Sequence, residues 1–329
     1  MSRITRLLFA LSLVAHGAAP ELFSAGAPPE LVFQSGFEGT CEIVPLGASQ
    51  HDLIGKDTTL REKNDWVEDL EKQAGVKTFR FDYTGGDISQ RFVRIVPEPG
   101  NPTNRVLWFW LNDSWKADGG VVKARVQADI YGVKEGFKEF YQSVRVYLPE
   151  DWHVVKRYPH PIHWCTISEF WNDVYWSPPN NKKGFRITLG IGKPTAAASD
   201  LNFILDAQGP GMKRVWIAHN EQVKVPIGRW FNLEYYFKEG DSQNGRFYVA
   251  VTPDGQARQV VHDVLGWTRN TTNPNPDGIT DWNPMKLYTS KELVAFVKSQ
   301  GKTLQIYWDD FRLWKNRQPT DSQPSPPPR

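Results

Sequence analysis

The sequence has no apolar segment long enough to cross a membrane. A transmembrane helix needs roughly 20 consecutive apolar residues, whereas the run from Leu7 to Ala15 has about nine, the length of a signal-peptide core. Arg3 and Arg6 precede this run and small residues follow it at 16–19, as in a cleaved leader. We therefore predict a signal peptide over residues 1–19 and a secreted protein, extracellular or periplasmic, without a membrane anchor.

An excess of charge of one sign is also missing. The chain has 39 Lys and Arg against 37 Asp and Glu, for a formal net charge of +2. No global field therefore favours nucleic acid or an anionic membrane as a partner. A local basic cluster must bind any acidic ligand.

Cysteine is scarce, with Cys41 and Cys165 as the two copies. This excludes a disulfide-rich scaffold, although in an oxidising compartment the two thiols could form one bridge. Metal-type Cys/His spacing is absent, and so is the G-x-S-x-G motif of acyl-transfer hydrolases. We predict no catalytic metal.

Composition divides the chain into four parts. The leader is followed by a small, proline-containing spacer over 20–29, and the Pro/Ser-rich end over 318–329 predicts a disordered tail. Residues 30–317 contain neither a break nor an internal repeat. They predict one domain, and we expect a monomer.

Apolar residues in this domain alternate with polar ones at a period of two, which indicates strands with one buried face. Helical periodicity is convincing near 63–73 and 290–299. Many antiparallel strands with two short helices predict an all-β jelly-roll sandwich with a concave groove. The final strand, 304–314, is expected to return beside the first strand, 30–38. The alternating segments are 122–130, 144–148, 185–191 and 231–237.

The polar halves of these strands contain more arginine, amide and tyrosine than an ordinary solvated face. The chain also has 14 Trp, 11 Tyr and 18 Phe, and aromatic rings stack on the apolar faces of sugars as well as packing in cores. A sugar-binding groove is the functional interpretation, and a solvated face the structural one. The polar positions are Lys123, Arg125, Gln127, Asp129, Arg145, Arg186, Glu234, Tyr236 and Lys238.

Three segments, 125–129, 141–152 and 236–240, resemble the jelly-roll polysaccharide lyases, the group of alginate, glucuronan and heparinase-type lyases. Arg125 and Gln127 match the first two polar positions of the R-x-E-x-R motif, with Gln for Glu, and Asp129 departs at the third. The segment Tyr236-Phe-Lys-Glu-Gly240 matches the start of Y-F-K-A-G-x-Y-x-Q. The Q-I-H motif has no match, and either His163 or Glu169 could represent it.

The resemblance implies β-elimination on a uronate-containing polysaccharide. Arg125 and Gln127 would neutralise the uronate carboxylate, which makes the neighbouring proton acidic. His163 would be the base, and Tyr236 the acid or a shared acid and base. Neighbouring sugars would contact the remaining polar residues, namely Lys238, Arg186, Arg145, Glu169, Glu234 and Tyr141.

One departure bears directly on activity. The tyrosine to which the alginate-lyase motif assigns proton transfer falls six residues after Tyr236, where this chain has Ser242. Tyr236, Tyr141 or Tyr248 could substitute for it. The alternative is a noncatalytic carbohydrate-binding protein of the same fold.

A glycoside hydrolase is the third alternative. It needs two carboxylates across the scissile bond, and neither E-x-D-x-x-E nor E-x-D-x-E occurs. We predict no catalytic cofactor, although Asp309 and Asp310 could bind a structural calcium ion.

Overall fold

The computed structural model describes residues 27–59, 65–117, 120–133, 136–172 and 184–327, so the predicted signal peptide lies outside the described residues. The described residues form twenty β-strands and three α-helices. In chain order the strands are β1 (Glu30–Ser35), β2 (Glu42–Gly47), β3 (Gln50–Ile54), β4 (Thr78–Asp82), β5 (Arg91–Glu98), β6 (Asn101–Leu111), β7 (Trp115–Lys116), β8 (Val122–Lys123), β9 (Arg125–Tyr131), β10 (Glu139–Tyr147), β11 (Cys165–Asn172), β12 (Phe185–Gly192), β13 (Asn202–Gln208), β14 (Arg214–Asn220), β15 (Trp230–Lys238), β16 (Arg246–Pro253), β17 (Gln259–Leu265), β18 (Ile279–Asn283), β19 (Lys286–Thr289) and β20 (Leu304–Lys315). The helices are α1 (Trp66–Ala74), α2 (Trp152–Lys156) and α3 (Lys291–Ser299), and a 3₁₀ turn covers Pro210–Met212.

Two large antiparallel sheets form a sandwich. Sheet A has the strand order β17-β16-β15-β10-β20-β6-β5, with β1 also paired to β20. Sheet B has the order β14-β13-β12-β11-β18-β9-β4-β3-β2, and β19 pairs with both β11 and β9. This arrangement confirms the predicted all-β jelly-roll fold.

The first and last strands lie side by side, as the sequence predicts. Leu31 pairs with Trp314 and Ser35 with Phe311, in an antiparallel ladder interrupted by one bulge. The two ends of the domain therefore close the same sheet.

The core lies between the sheets because alternate residues of each strand point inward. Val126 and Ala128 of β9 and Leu233 of β15 are fully buried, and each large apolar side chain buried in this way contributes about 1.5–3 kcal/mol. Polar contacts also cross the core. The hydroxyl oxygens of Ser168 and Tyr235 are 2.7 Å apart, so sheet B packs directly against sheet A.

Both predicted helices are present and have typical caps. The Asp65 side chain accepts a hydrogen bond from the Val67 N–H at the start of α1, and Ser290 does the same for Leu293 at the start of α3. These caps satisfy N–H groups that the first helical turn leaves unpaired. The five-residue helix α2 was not predicted, because it is too short to show a 3.6-residue period.

Three further observations complete the fold. Cys41 and Cys165 are both buried but form no disulfide with each other, and burial raises the pKa of the Cys165 thiol to about 12.

Residues 318–327, predicted as a disordered tail, instead contact sheet A, because their polar groups hydrogen-bond to it, as Asp321 does with Tyr248. In the part of the chain that the structure describes, no helix is long and apolar enough to span a membrane.

Candidate functional site

The outer face of sheet B, which we call the sheet B face, contains the first predicted motif. Arg125, Gln127 and Asp129 of β9 alternate with the buried Val126 and Ala128. They therefore point away from the core. Their neighbours on this face come from β4, β19 and β18.

Glu169 of β11 is the centre of an ionic network on this face. Its side chain is 3% exposed and accepts a hydrogen bond of 2.6 Å from Arg186 Nη1 and another from Lys286 Nζ. Burial acts to raise the pKa of Glu169, but the two cations outweigh it and hold this pKa at about 2. Burial lowers the pKa of Lys286, an effect that Glu169 opposes. Glu169 therefore stays ionised.

The network continues across the next three strands. Arg186 donates to Gln208 Oε1 over 2.9 and 2.7 Å, and Gln208 donates to Asp206 over 3.0 Å. Asp206 in turn accepts two hydrogen bonds of 3.1 Å from Arg214. Because each side chain has a partner in the next strand, the network fixes the side-chain positions across the face.

Asp129 has a carboxyl group suited to proton exchange near neutral pH. It accepts hydrogen bonds from the amides of Gln127, over 2.6 Å, and Asn283. Burial raises its pKa to about 7, with Arg125 acting in the opposite direction and Asp82 adding to the rise. A perturbed carboxyl group among polar residues is typical of functional sites.

Three buried polar atoms of β4 and β9 have no hydrogen-bond partner among the described residues. They are Nε of Arg80, Nε of Arg125 and Oε1 of Gln127. Arg80 is one strand away from Arg125 on the same face, because Arg80 pairs with Asp129 of β9. Buried polar atoms are usually hydrogen-bonded, so the two guanidinium Nε donors are exceptions to this rule, both on the sheet B face.

Tyr288 of β19 lies directly opposite Arg125 in the β9–β19 pairing. Two ammonium groups, those of Lys123 and Lys286, each lie 5.5 Å from the centre of its ring. The ring of Trp164 packs against it edge-on, 4.9 Å away. Tyr288 was not predicted from the sequence, because its strand has only four residues, too few to show a clear alternation of apolar and polar side chains.

His163 is exposed and immediately precedes Trp164. Burial and the nearby Arg214 lower the pKa of His219 on β14, and His163 is close enough to His219 to add to this effect. His219 was not singled out from the sequence, although it points outward on the same face. The structure thus brings Arg125, Gln127, Glu169, Arg186 and His163 to one side of the sandwich.

The other predicted site residues lie on the opposite side. Sheet A contains β10 and β15, and Tyr236 follows the inward-facing Tyr235. Its side chain therefore points away from sheet B, and Tyr236 cannot be the acid of a site built by Arg125 and Gln127. The prediction of one combined site is wrong for five residues: Tyr141, Arg145, Glu234, Tyr236 and Lys238.

Four of these side chains, those of Tyr141, Arg145, Glu234 and Tyr236, have recorded partners on the outer face of sheet A, which we call the sheet A face. The Tyr236 hydroxyl donates to Glu139 over 2.8 Å, and that of Tyr141 to Glu234 over 2.6 Å. Arg145 donates to Glu98 over 3.3 Å. Alternation showed that they face outward but not which sheet they belong to.

Asp309, one of the two candidate calcium ligands, lies beside Glu38 and Asp57. Burial, Asp309 and Asp57 raise the pKa of Glu38 to about 7, and burial raises that of Asp309 to about 7 as well. No three His, Cys, Asp or Glu side chains among the described ranges are arranged as a metal site. A structural calcium ion stays a prediction.

Solved structures with a similar fold include several polysaccharide lyases. The endo-β-1,4-glucuronan lyase of the fungus Trichoderma reesei is 15% identical, with 68% of this chain and 87% of that chain covered and a TM-score of 0.43. A marine alginate lyase of Aplysia kurodai is 11% identical, with coverage of 86% and 98% and a TM-score of 0.45. An alginate lyase from Chlorella virus is 13% identical, with coverage of 75% and 97% and a TM-score of 0.43.

These enzymes belong to the group that the sequence motifs resemble. At this identity and these scores the likeness concerns the fold and assigns no activity to this chain. No family model matches the sequence, and a search of curated proteins found no match.

Proposed function

We propose that this protein is a secreted lyase that cleaves a uronate-containing polysaccharide by β-elimination on the sheet B face. The observation that carries the proposal is the position of Tyr288 directly opposite Arg125. Paired positions in adjacent strands put Tyr288 and Arg125 side by side on the sheet B face, and Nε of Arg125 has no partner among the described residues. This replaces Tyr236 with a tyrosine on the correct face.

The reaction needs three groups. Arg125 holds the uronate carboxylate, which stabilises the negative charge that develops when the α-proton leaves, while the Gln127 amide donates to Asp129. His163 takes that proton, and Tyr288 gives its hydroxyl proton to the departing glycosidic oxygen. The C4–O bond breaks, and a C4–C5 double bond remains on the new non-reducing end.

His163 is assigned as the base because it immediately precedes Trp164 in the chain. The ring contact between Trp164 and Tyr288 brings this segment against β19. Small residues then continue the row from Tyr288 across the sheet. Thr166 pairs with Tyr288, and Gly190 pairs with Thr166.

The row ends at His219, because Gly190 pairs with Ile204 and Ile204 with His219. From Arg125 to His219 it crosses five strand spacings, about 24 Å in total. That length accommodates several sugar residues of an extended chain. We therefore assign the predicted groove to this row and expect endo-acting cleavage of an acidic polymer.

A noncatalytic carbohydrate-binding protein is the second candidate. The pairing of Glu169 with both Arg186 and Lys286 favours it, since these two central cations already share a carboxylate of the protein. Such a protein would retain the polymer on the same face without cleaving it.

Ultraviolet absorbance of the conjugated double bond distinguishes the two candidates. The mature protein is incubated separately with alginate, glucuronan, an ulvan and glycosaminoglycans, and each polymer is also cast into a native gel. A lyase raises the absorbance with at least one polymer. A flat absorbance with every polymer, together with retarded migration in one gel, contradicts the lyase and supports the binding protein.

Two histidine variants test the assigned base. We expect His163→Ala to lower the rate by about 100-fold or more, the usual contribution of a general base. The matched control is His153→Ala, because His153 is also exposed but lies on α2, beside Glu150. Equal rates for the two variants would remove His163 from the mechanism.

A further inference from the structure

The end of the chain crosses the sheet A face as a strap, which we define as residues 317–327. Gln318 donates to Glu139 over 2.9 Å, and Ser322 donates to Asp263 over 2.5 Å. Ser325 pairs with the edge strand β17, since the Leu265 N–H donates to its carbonyl oxygen over 2.7 Å. These contacts fix the strap at both ends.

Between these contacts the strap presents one carboxylate to the sheet. Asp321 accepts hydrogen bonds of 2.9 and 3.0 Å from the hydroxyl of Tyr248 and another from Arg258. Tyr248 is fully buried, whereas the Asp321 side chain is 34% exposed. We call Tyr248 and Arg258 the carboxylate seat, because together they donate to both oxygens of one carboxylate.

Neighbouring side chains hold the seat in place. Arg258 Nε donates to Glu234 over 2.6 Å, and Arg258 Nη2 donates to the Tyr141 hydroxyl over 2.8 Å. Tyr141 in turn donates to Glu234. The guanidinium group is therefore oriented whether or not Asp321 is bound.

A cavity of about 460 Å³ adjoins the seat, between the strap and sheet A. Its lining is mostly polar, as expected for a sugar rather than for an apolar ligand. The lining residues are Tyr141, Asn232, Glu234, Thr252, Arg258 and strap residues 317–320.

Aromatic side chains continue from this cavity along the same face. Trp230 lies two residues before Asn232 on β15 and pairs with Tyr147. Tyr147 pairs with Tyr307, and Tyr307 with Trp108. The four rings form what we call the aromatic row, which crosses four adjacent strands at about 4.8 Å per strand.

This combination identifies the chemistry of the ligand. The partly exposed rings of Tyr147, Tyr307 and Trp108 offer apolar surface to pyranose rings, whereas Trp230 is only 7% exposed. The seat takes a carboxylate, and its Arg258 donates to Glu234, four residues along β15 from Trp230. An acidic peptide would use the seat but gain little from the row. We propose that the sheet A face is a second binding surface for an acidic polysaccharide, whose uronate carboxylate displaces Asp321 from Tyr248 and Arg258.

This inference relies on the proposed function only in assuming that the ligand is an acidic polysaccharide; it does not require that the protein cleaves this polymer. Asp321 belongs to an exposed ion pair, which contributes little to stability, so a polymer with many carboxylates can displace it. The strap acts as a tethered competitor, and removing its charge strengthens binding at the seat.

Calorimetric titration with hexameric oligouronates of alginate and of glucuronan tests this inference. Every protein carries Arg125→Gln, so that the sheet B face is impaired. We expect Asp321→Asn to tighten binding about tenfold, the effect of one charge-assisted contact. Adding Arg258→Gln or Trp108→Ala should reverse this gain.

Asp113→Asn is the matched control, because Asp113 forms an exposed ion pair with Lys298 far from the strap. Polyglutamate serves as the peptide probe. Unchanged oligouronate affinity in Asp321→Asn would overturn the proposal, and so would tighter binding of polyglutamate than of oligouronate. Failure of cleavage leaves this titration unaffected, so the two proposals fail separately.

Discussion

Replacing Glu169 by glutamine tests the ionic network of the sheet B face most sharply. The variant keeps the shape of the side chain but leaves Lys286, which is 2% exposed, without its counter-ion. Breaking a buried pair by removing one partner costs about 3–5 kcal/mol. The pKa of Glu169 gives a similar figure, since a decrease from 4.5 to about 2 corresponds to about 3 kcal/mol at neutral pH.

Urea unfolding at neutral pH measures the change in the free energy of unfolding. We expect Glu169→Gln to lower it by about 3 kcal/mol, and a second change, Lys286→Met, to recover most of the loss because it removes the uncompensated charge. Glu68→Gln is the matched control, since Glu68 pairs with Lys72 in an exposed position and its loss should cost less than about 0.5 kcal/mol.

The pH dependence follows from the same pKa. Because the pKa of Glu169 is depressed in the folded protein, its contribution is full above about pH 4.5 and is lost as the pH falls towards 2. The free energy of unfolding of the Glu169→Gln variant should therefore lack the contribution that the wild-type protein loses between about pH 4.5 and 2. A cost equal to that of Glu68→Gln, or a further loss on adding Lys286→Met, would refute the buried network.

Two further predictions concern the catalytic tyrosine and the carboxyl cluster. We expect Tyr288→Phe to lower the rate of double-bond formation by about 100-fold or more, whereas Tyr236→Phe, on the sheet A face, should keep the wild-type rate; the reverse order would contradict the assignment. Burial raises the pKa of Glu38 and Asp309 to about 7, so their contribution to stability is full below about pH 4 and is lost as the pH rises through 7. Melting temperatures in EDTA should therefore fall between pH 4 and 8, and the predicted calcium ion should restore them at pH 8; a flat profile in EDTA would contradict the raised pKa values.

The fold was predictable because alternation is a local signal. The segments around Val144 and Phe231 gave correct strands, and the pairing of the first strand with the last followed from the way a jelly-roll chain commonly returns beside its first strand. Short elements were missed. The strand that contains Tyr288 has four residues, too few to distinguish a period of two from chance.

The site was only partly predictable, for a different reason. Alternation tells which residues of a strand face outward, but assignment to a sheet depends on long-range pairing. Arg125 and Tyr236 both face outward, yet β9 pairs within sheet B and β15 within sheet A. Similarly, the tail composition predicted disorder, whereas the ion pair of Asp321 with Arg258 depends on a residue 63 positions away.

In the wild-type protein, we expect the sheet B face to bind the acidic polysaccharide. Two arginines on opposite faces test it, because each is partly buried and pairs with a carboxylate: Arg125 with Asp82, and Arg145 with Glu98. The Arg125→Gln and Arg145→Gln variants are run side by side in a native gel that contains the polymer found to retard the wild-type protein, and their migration is compared. We expect Arg125→Gln to lose most of the retardation and Arg145→Gln to retain it. Loss of retardation in Arg145→Gln with normal binding by Arg125→Gln would contradict the account.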